Sequence, residues 1–111
     1  MTSSQPDPLP KGEIVSDALL IDILAMSWLD DKERSYVYDL VKERDTFGRQ
    51  KYGQPLMSLD GRDTQKDIED EIGDMLQYCK KMQMQGCSDE NKAAMLAKLK
   101  TVFKVAFKML Q

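Results

Sequence analysis

The sequence predicts an all-α protein, and three observations carry that prediction. Apolar residues recur at helical spacing through four segments. The prolines fall only near the start (Pro6, Pro8, Pro10) and in one middle connection (Pro55), outside those segments. No internal repeat and no sustained heptad is present, so the segments are expected to form a four-helix bundle-like fold rather than a coiled coil. The first helix is expected over residues 13–30. There Ile14, Ala18, Ile21, Ala25 and Trp28 make one apolar stripe and Val15, Leu19, Ile23 and Met26 another, with Trp28 read as core. A helix with so little polar face is normally covered on several sides. The second is expected over 31–50, with Val37, Leu40 and Val41 facing a core and Asp39 and Glu43 leaving one flank a turn apart.

Residues 51–62, KYGQPLMSLDGR, hold Tyr-Gly, Gln-Pro and Asp-Gly pairs and read as an ordered loop. The third helix is expected over 63–85, stopping near Gly86. Ser88 then offers an N-cap, followed by Asp89 and Glu90 where the helix dipole favours acids. The fourth helix runs on from there. Met95, Leu99, Val102, Phe103, Ala106 and Leu110 form its apolar face, and Lys100, Lys104 and Lys108 line the other side.

Composition narrows the function. At 111 residues the chain is expected to form one domain over 13–111, behind a flexible Pro-containing arm over 1–12. The arm lacks a basic and apolar leader pattern and no apolar run is long enough for a bilayer, so a cytoplasmic protein without membrane contact is expected. A net charge of -3 with no basic cluster argues against nucleic-acid binding. The absence of histidine excludes Ser-His-Asp and Cys-His nucleophilic systems and His-ligated metals. Cys79 and Cys87 are too far apart for a CxxC site and are expected to be free thiols. Any acid-base or metal chemistry therefore falls to carboxylates.

The candidates stand on the third helix. At about 100° per residue, Asp63, Asp67, Asp70, Glu71 and Asp74 project from one side, while Ile68, Ile72, Met75, Leu76 and Cys79 fall on the other. Like charges at i,i+3 and i,i+4 destabilise a helix unless a cation compensates. Carboxylates without imidazole or thiolate select a hard ion, Mg²⁺ or Mn²⁺. A solvated acidic face is the simpler alternative.

Read in order, KYGQPL, GRD and DIEDEIGDMLQY resemble the MazG-like all-α nucleoside triphosphate pyrophosphohydrolases, in the short single-domain form found in phages. Glu71-Ile72-Gly73-Asp74 is similar to the ExxD half of that family's metal motif. The resemblance covers roughly residues 39–81 and implies a MazG-type, oligomeric fold. It also implies a Mg²⁺-dependent (d)NTP pyrophosphohydrolase that gives the monophosphate and pyrophosphate, acting on a deoxynucleotide such as dGTP or dATP. Glu71 and Asp74 would be metal ligands, with Glu71 and Asp67 serving catalysis. The family's ExxE has no counterpart in helix two, where Asp39 and Glu43 are the nearest candidates and Glu33 lies upstream. Lys51, Arg62, Lys66 and Lys81 are candidates for phosphate oxygens, and Tyr52 and Tyr78 for bordering a base.

Two other readings compete. One is a non-catalytic helical interaction module whose acidic face meets a basic partner. The other is a related phosphohydrolase acting on another phosphorylated metabolite, such as a phosphoribosyl-ATP. The apolar faces of helices one and four point further to a homodimer or homotetramer, because a lone bundle of this length cannot easily cover both.

Overall fold

The computed structural model describes residues 5–111. Four α-helices carry the chain: α1 Val15–Ala25, α2 Asp31–Tyr52, α3 Thr64–Met84 and α4 Asp89–Leu110. Among the described residues the one β pairing is an isolated antiparallel bridge between Ile14 and Met57. The chain is therefore all-α, as its periodicity predicts. None of its helices is long and apolar enough to cross a membrane. By contact the chain divides into two compact units, Met1–Asp63 and Thr64–Gln111.

In the first unit α1 packs on α2, with Ile23, Leu29 and Val37 buried. Helix α1 is shorter at both ends than its apolar pattern predicts. Its C-terminal shortening has a polar cause. The Arg34 guanidinium reaches back from α2 and donates to the carbonyls of Met26 (2.9 Å) and Leu29 (2.7 Å), gathering residues 26–29 into a turn. Asp30 then caps α2: its carboxylate accepts from the Glu33 amide (2.7 Å) while the Glu33 carboxylate accepts from the Asp30 amide (3.0 Å). This reciprocal pair is a capping box, which satisfies two amide donors that a helix start leaves open. At its other end α2 runs through Tyr52 and closes on Gly53, whose φ of 72° is a left-handed conformation glycine adopts freely.

The described part of the Pro-containing arm is hydrogen-bonded to the loop that follows α2. Leu9 N–H donates to the Asp60 carbonyl (2.8 Å), Leu59 N–H to Lys11 (3.0 Å), Ser58 N–H to Glu13 (2.9 Å) and Val15 N–H to Leu56 (2.9 Å). Gln5 brackets the backbone of Asp63, donating to its carbonyl and accepting from its amide. Prolines 6, 8 and 10 lack amide donors, so the residues between and after them carry the pairing. Gly12 stands where this crossing is tightest. Its φ is +91°, and a Cβ there would meet the Leu59 amide nitrogen at 2.9 Å. Residues 1–4 of the arm lie outside the described part.

The second unit is organised differently. Helix α3 stops before Gly86 and α4 starts where Ser88 accepts from the Asn91 amide (3.2 Å), the cap its sequence predicts. Helices α3 and α4 do not approach each other as closely as α1 and α2 do. Val105 is the one buried residue of the unit. Phe103 and Phe107 stack one turn apart, with ring centres separated by 6.3 Å.

Candidate functional site

Helix α3 presents the acid stripe much as its spacing predicts. Glu71 and Asp74 are exposed, and Asp67 and Asp70 are half-buried. One residue drops out: α3 begins at Thr64, so Asp63 precedes the helix and belongs to the first unit. Asp70 is also engaged, because the Lys66 ammonium lies 2.7 Å from its carboxylate one turn away. That pairing sets Lys66 toward its own helix rather than toward a ligand.

Glu71 and Asp74 differ from their neighbours. Neither side chain takes part in a hydrogen bond or ion pair among the described residues. They are separated by one turn, about 4.5 Å along the axis at 1.5 Å per residue. Between them Gly73 has open space around its missing Cβ. Mg²⁺ typically keeps several waters and takes one or two protein carboxylates plus substrate phosphates. Two uncommitted carboxylates on one exposed helical face fit that requirement. No group of three or more Asp, Glu, Cys or His residues is poised to hold a metal among the described residues.

Helix α2, in the first unit, carries the other acid pair. Asp39 and Glu43 are both exposed. Asp39 borders a shallow cleft of about 270 Å³ with Leu24, Asp31, Arg34, Ser35 and Tyr38. Glu33, the upstream alternative, is held in the capping box and so serves the helix end. That role is readable from Asp30-x-x-Glu33, which has capping-box spacing.

The cationic and aromatic candidates are dispersed. Lys51 lies over the Tyr52 ring at 5.2 Å, so these two side chains engage each other at the end of α2. Arg62 donates to the Pro6 carbonyl (3.0 Å) and helps hold the arm. Tyr78 is exposed on α3. Lys81 borders a surface depression of about 500 Å³ with Gln77, Lys80, Met84 and Gln85. Residues 66 and 81 are separated by about 22 Å along the helix, so Lys66 and Lys81 of one chain cannot hold the same phosphate.

A polar group missed in the sequence lies in the first unit. Buried Ser16 donates from Oγ to Asp45 Oδ1 (2.9 Å), and Arg49 Nε donates to Asp45 Oδ2 (3.0 Å). Ser16 and Asp45 line a mainly apolar pocket of about 360 Å³, beside Leu19, Val41, Gly48 and Leu56. Gly48 lies inside α2, and a Cβ there would meet nothing within 4 Å. A glycine in a helix interior costs about 0.5–1 kcal/mol relative to alanine. Both signals were in the sequence: the i,i+4 Asp45–Arg49 pair and a lone glycine in a helical run.

Compared with protein-family models, with curated proteins and with solved structures, the chain shows no match.

Proposed function

We propose that the chain is a Mg²⁺-dependent nucleoside triphosphate pyrophosphohydrolase, with a deoxynucleotide such as dGTP or dATP as substrate. The observation that carries the reading is the Glu71/Asp74 pair: two carboxylates one turn apart, exposed and without a partner, within a segment that resembles the MazG-like motif. Hydrolysis between the α- and β-phosphates forms a bond from water oxygen to Pα and breaks the Pα–O bond to the leaving pyrophosphate. A divalent ion supplies charge neutralisation and a more acidic water for such chemistry. On this reading Glu71 and Asp74 hold that ion. Half-buried Asp67, one turn before Glu71, orients the attacking water and accepts its proton. Asp39 and Glu43, the acid pair on α2, are candidate metal ligands in their own right.

A homodimer or homotetramer belongs to the same proposal. On α3, Ile72 is 46% exposed and Leu76 61%, and on α1 Ile21 is 68% exposed, a degree of apolar exposure that association between copies would relieve. The same surface favours the competing reading of a helical interaction module. A panel of NTPs and dNTPs, assayed with Mg²⁺ for pyrophosphate and monophosphate, separates the two. The enzyme reading expects equal amounts of both products from at least one deoxynucleotide. No release from any member of the panel would leave the interaction module, or a phosphohydrolase acting on another phosphorylated metabolite.

A further inference from the structure

We propose that the first unit holds a binding pocket of its own for an aminated nucleobase, formed between α1 and α2 around Asp45 and Gly48. The choice of a nucleobase among flat aminated rings rests on the nucleotide reading above; the pocket itself does not.

The cavity of about 360 Å³ lies within the range of small-molecule sites, roughly 300–1,000 Å³. Its walls are mostly aliphatic, from Val15, Leu19, Leu40, Val41 and Leu56, and such walls suit the faces of a flat ring. One edge is polar and already ordered. Asp45 accepts one hydrogen bond at each oxygen, from the buried Ser16 hydroxyl and from the Arg49 guanidinium, which fixes the carboxylate plane. Each oxygen keeps a further lone pair, and an ionised carboxylate accepts without donating. The edge therefore selects rings that present N–H donors there: adenine, guanine or cytosine through the exocyclic amino group. Thymine and uracil present a single N–H flanked by two carbonyls, which the carboxylate repels.

Gly48 is the second, independent observation. It lines this pocket, and the space its Cβ would fill is open, so no packing inside the unit explains a glycine at that point of α2. The bare backbone leaves room for a ring to approach the helix closely. Arg44, also in the lining, places its guanidinium 4.4 Å over the Phe47 ring.

The test is NMR titration of the full chain, without metal, using 2′-deoxyadenosine, 2′-deoxyguanosine, 2′-deoxycytidine and thymidine at millimolar concentrations. The expected result is saturable shifts at Ser16, Gly48 and Leu56 with at least one amino-bearing nucleoside, at least about tenfold weaker with thymidine. Gly48→Leu should fill the cavity and abolish those shifts without lowering the melting temperature. Asp45→Asn, which exchanges an acceptor for a donor, should narrow or reverse the preference over thymidine. Unchanged binding in both variants, shifts confined to other residues, or no binding of any nucleoside would overturn the proposal. Shifts that follow protein concentration instead of nucleoside would assign the pocket to a second copy of the chain and overturn it as well. Because no step here involves hydrolysis, nucleoside binding without pyrophosphate release would remove the enzyme reading alone. Pyrophosphate release by a chain that shows no nucleoside-dependent shifts at Ser16, Gly48 and Leu56 would remove the pocket alone.

Discussion

The two units differ in how many apolar residues they bury, although both expose large ones, Ile21, Leu24 and Leu59 in the first among them. In Met1–Asp63, Ile23, Leu29 and Val37 are buried, the α1–α2 turn is gathered by Arg34, and an extended arm is hydrogen-bonded to the loop that follows α2. In Thr64–Gln111, α3 has no buried residue and α4 has one, Val105, while Leu76, Tyr78, Leu96 and Phe107 are more than half exposed. The first unit closes itself through polar groups aimed at backbone carbonyls and amides. The second presents long amphipathic surfaces, and it carries the exposed Glu71 and Asp74. Stability is thus expected to reside in the first unit, and response to metal and to protein concentration in the second.

The sharpest way to break this contrast is truncation of one apolar side chain in each unit. Ile23→Ala, at a fully buried site, should lower the unfolding free energy by about 2–5 kcal/mol in urea denaturation. Leu76→Ala, 61% exposed, should change it by no more than about 0.5 kcal/mol in dilute protein. Equal losses would erase the distinction. A Leu76→Ala cost that grows with protein concentration would show instead that copies cover α3, in line with the oligomer proposal.

Smaller effects sharpen the account of the first unit. Arg34→Ala leaves the Met26 and Leu29 carbonyls without their guanidinium donor and should cost about 1–3 kcal/mol, measured by thermal or urea unfolding. Arg34→Lys should recover only part of that, since one ammonium does not reproduce the planar fork. Asp30→Ala removes the α2 cap and should cost about 1 kcal/mol. At the small end, Gly73→Ala in α3, where a Cβ meets open space, should raise stability by about 0.5–1 kcal/mol. A loss of stability there would mean that a neighbour approaches Gly73 closely.

Much of this was legible in the sequence where one helix decides the outcome by itself. The Ser88 cap, the fourth helix and the grouping of Asp67, Asp70, Glu71 and Asp74 all follow from local spacing, and all stand in the structure. The misreadings come from contacts between distant segments. The early end of α1 depends on Arg34, whose role apolar periodicity does not register. The described part of the arm pairs with the backbone of residues 56–60, and such pairing leaves no side-chain pattern to read. Glu33 was read as an acid available for a site, but it closes a capping box. The Ser16–Asp45–Arg49 group joins residues from two helices, and only the Asp45–Arg49 half of it is local.

The central claim is that Glu71 and Asp74 hold the metal on which catalysis depends. The most direct measurement is pyrophosphate release from the best deoxynucleotide across a Mg²⁺ titration, comparing wild type with Glu71→Gln and Asp74→Asn. Each substitution removes a charge and nearly preserves shape, so both variants should stay folded and should lose activity by about a hundredfold or more. Wild-type release should rise with Mg²⁺ to saturation. Activity within a few-fold of wild type in both variants, with the same Mg²⁺ dependence, would contradict the assignment.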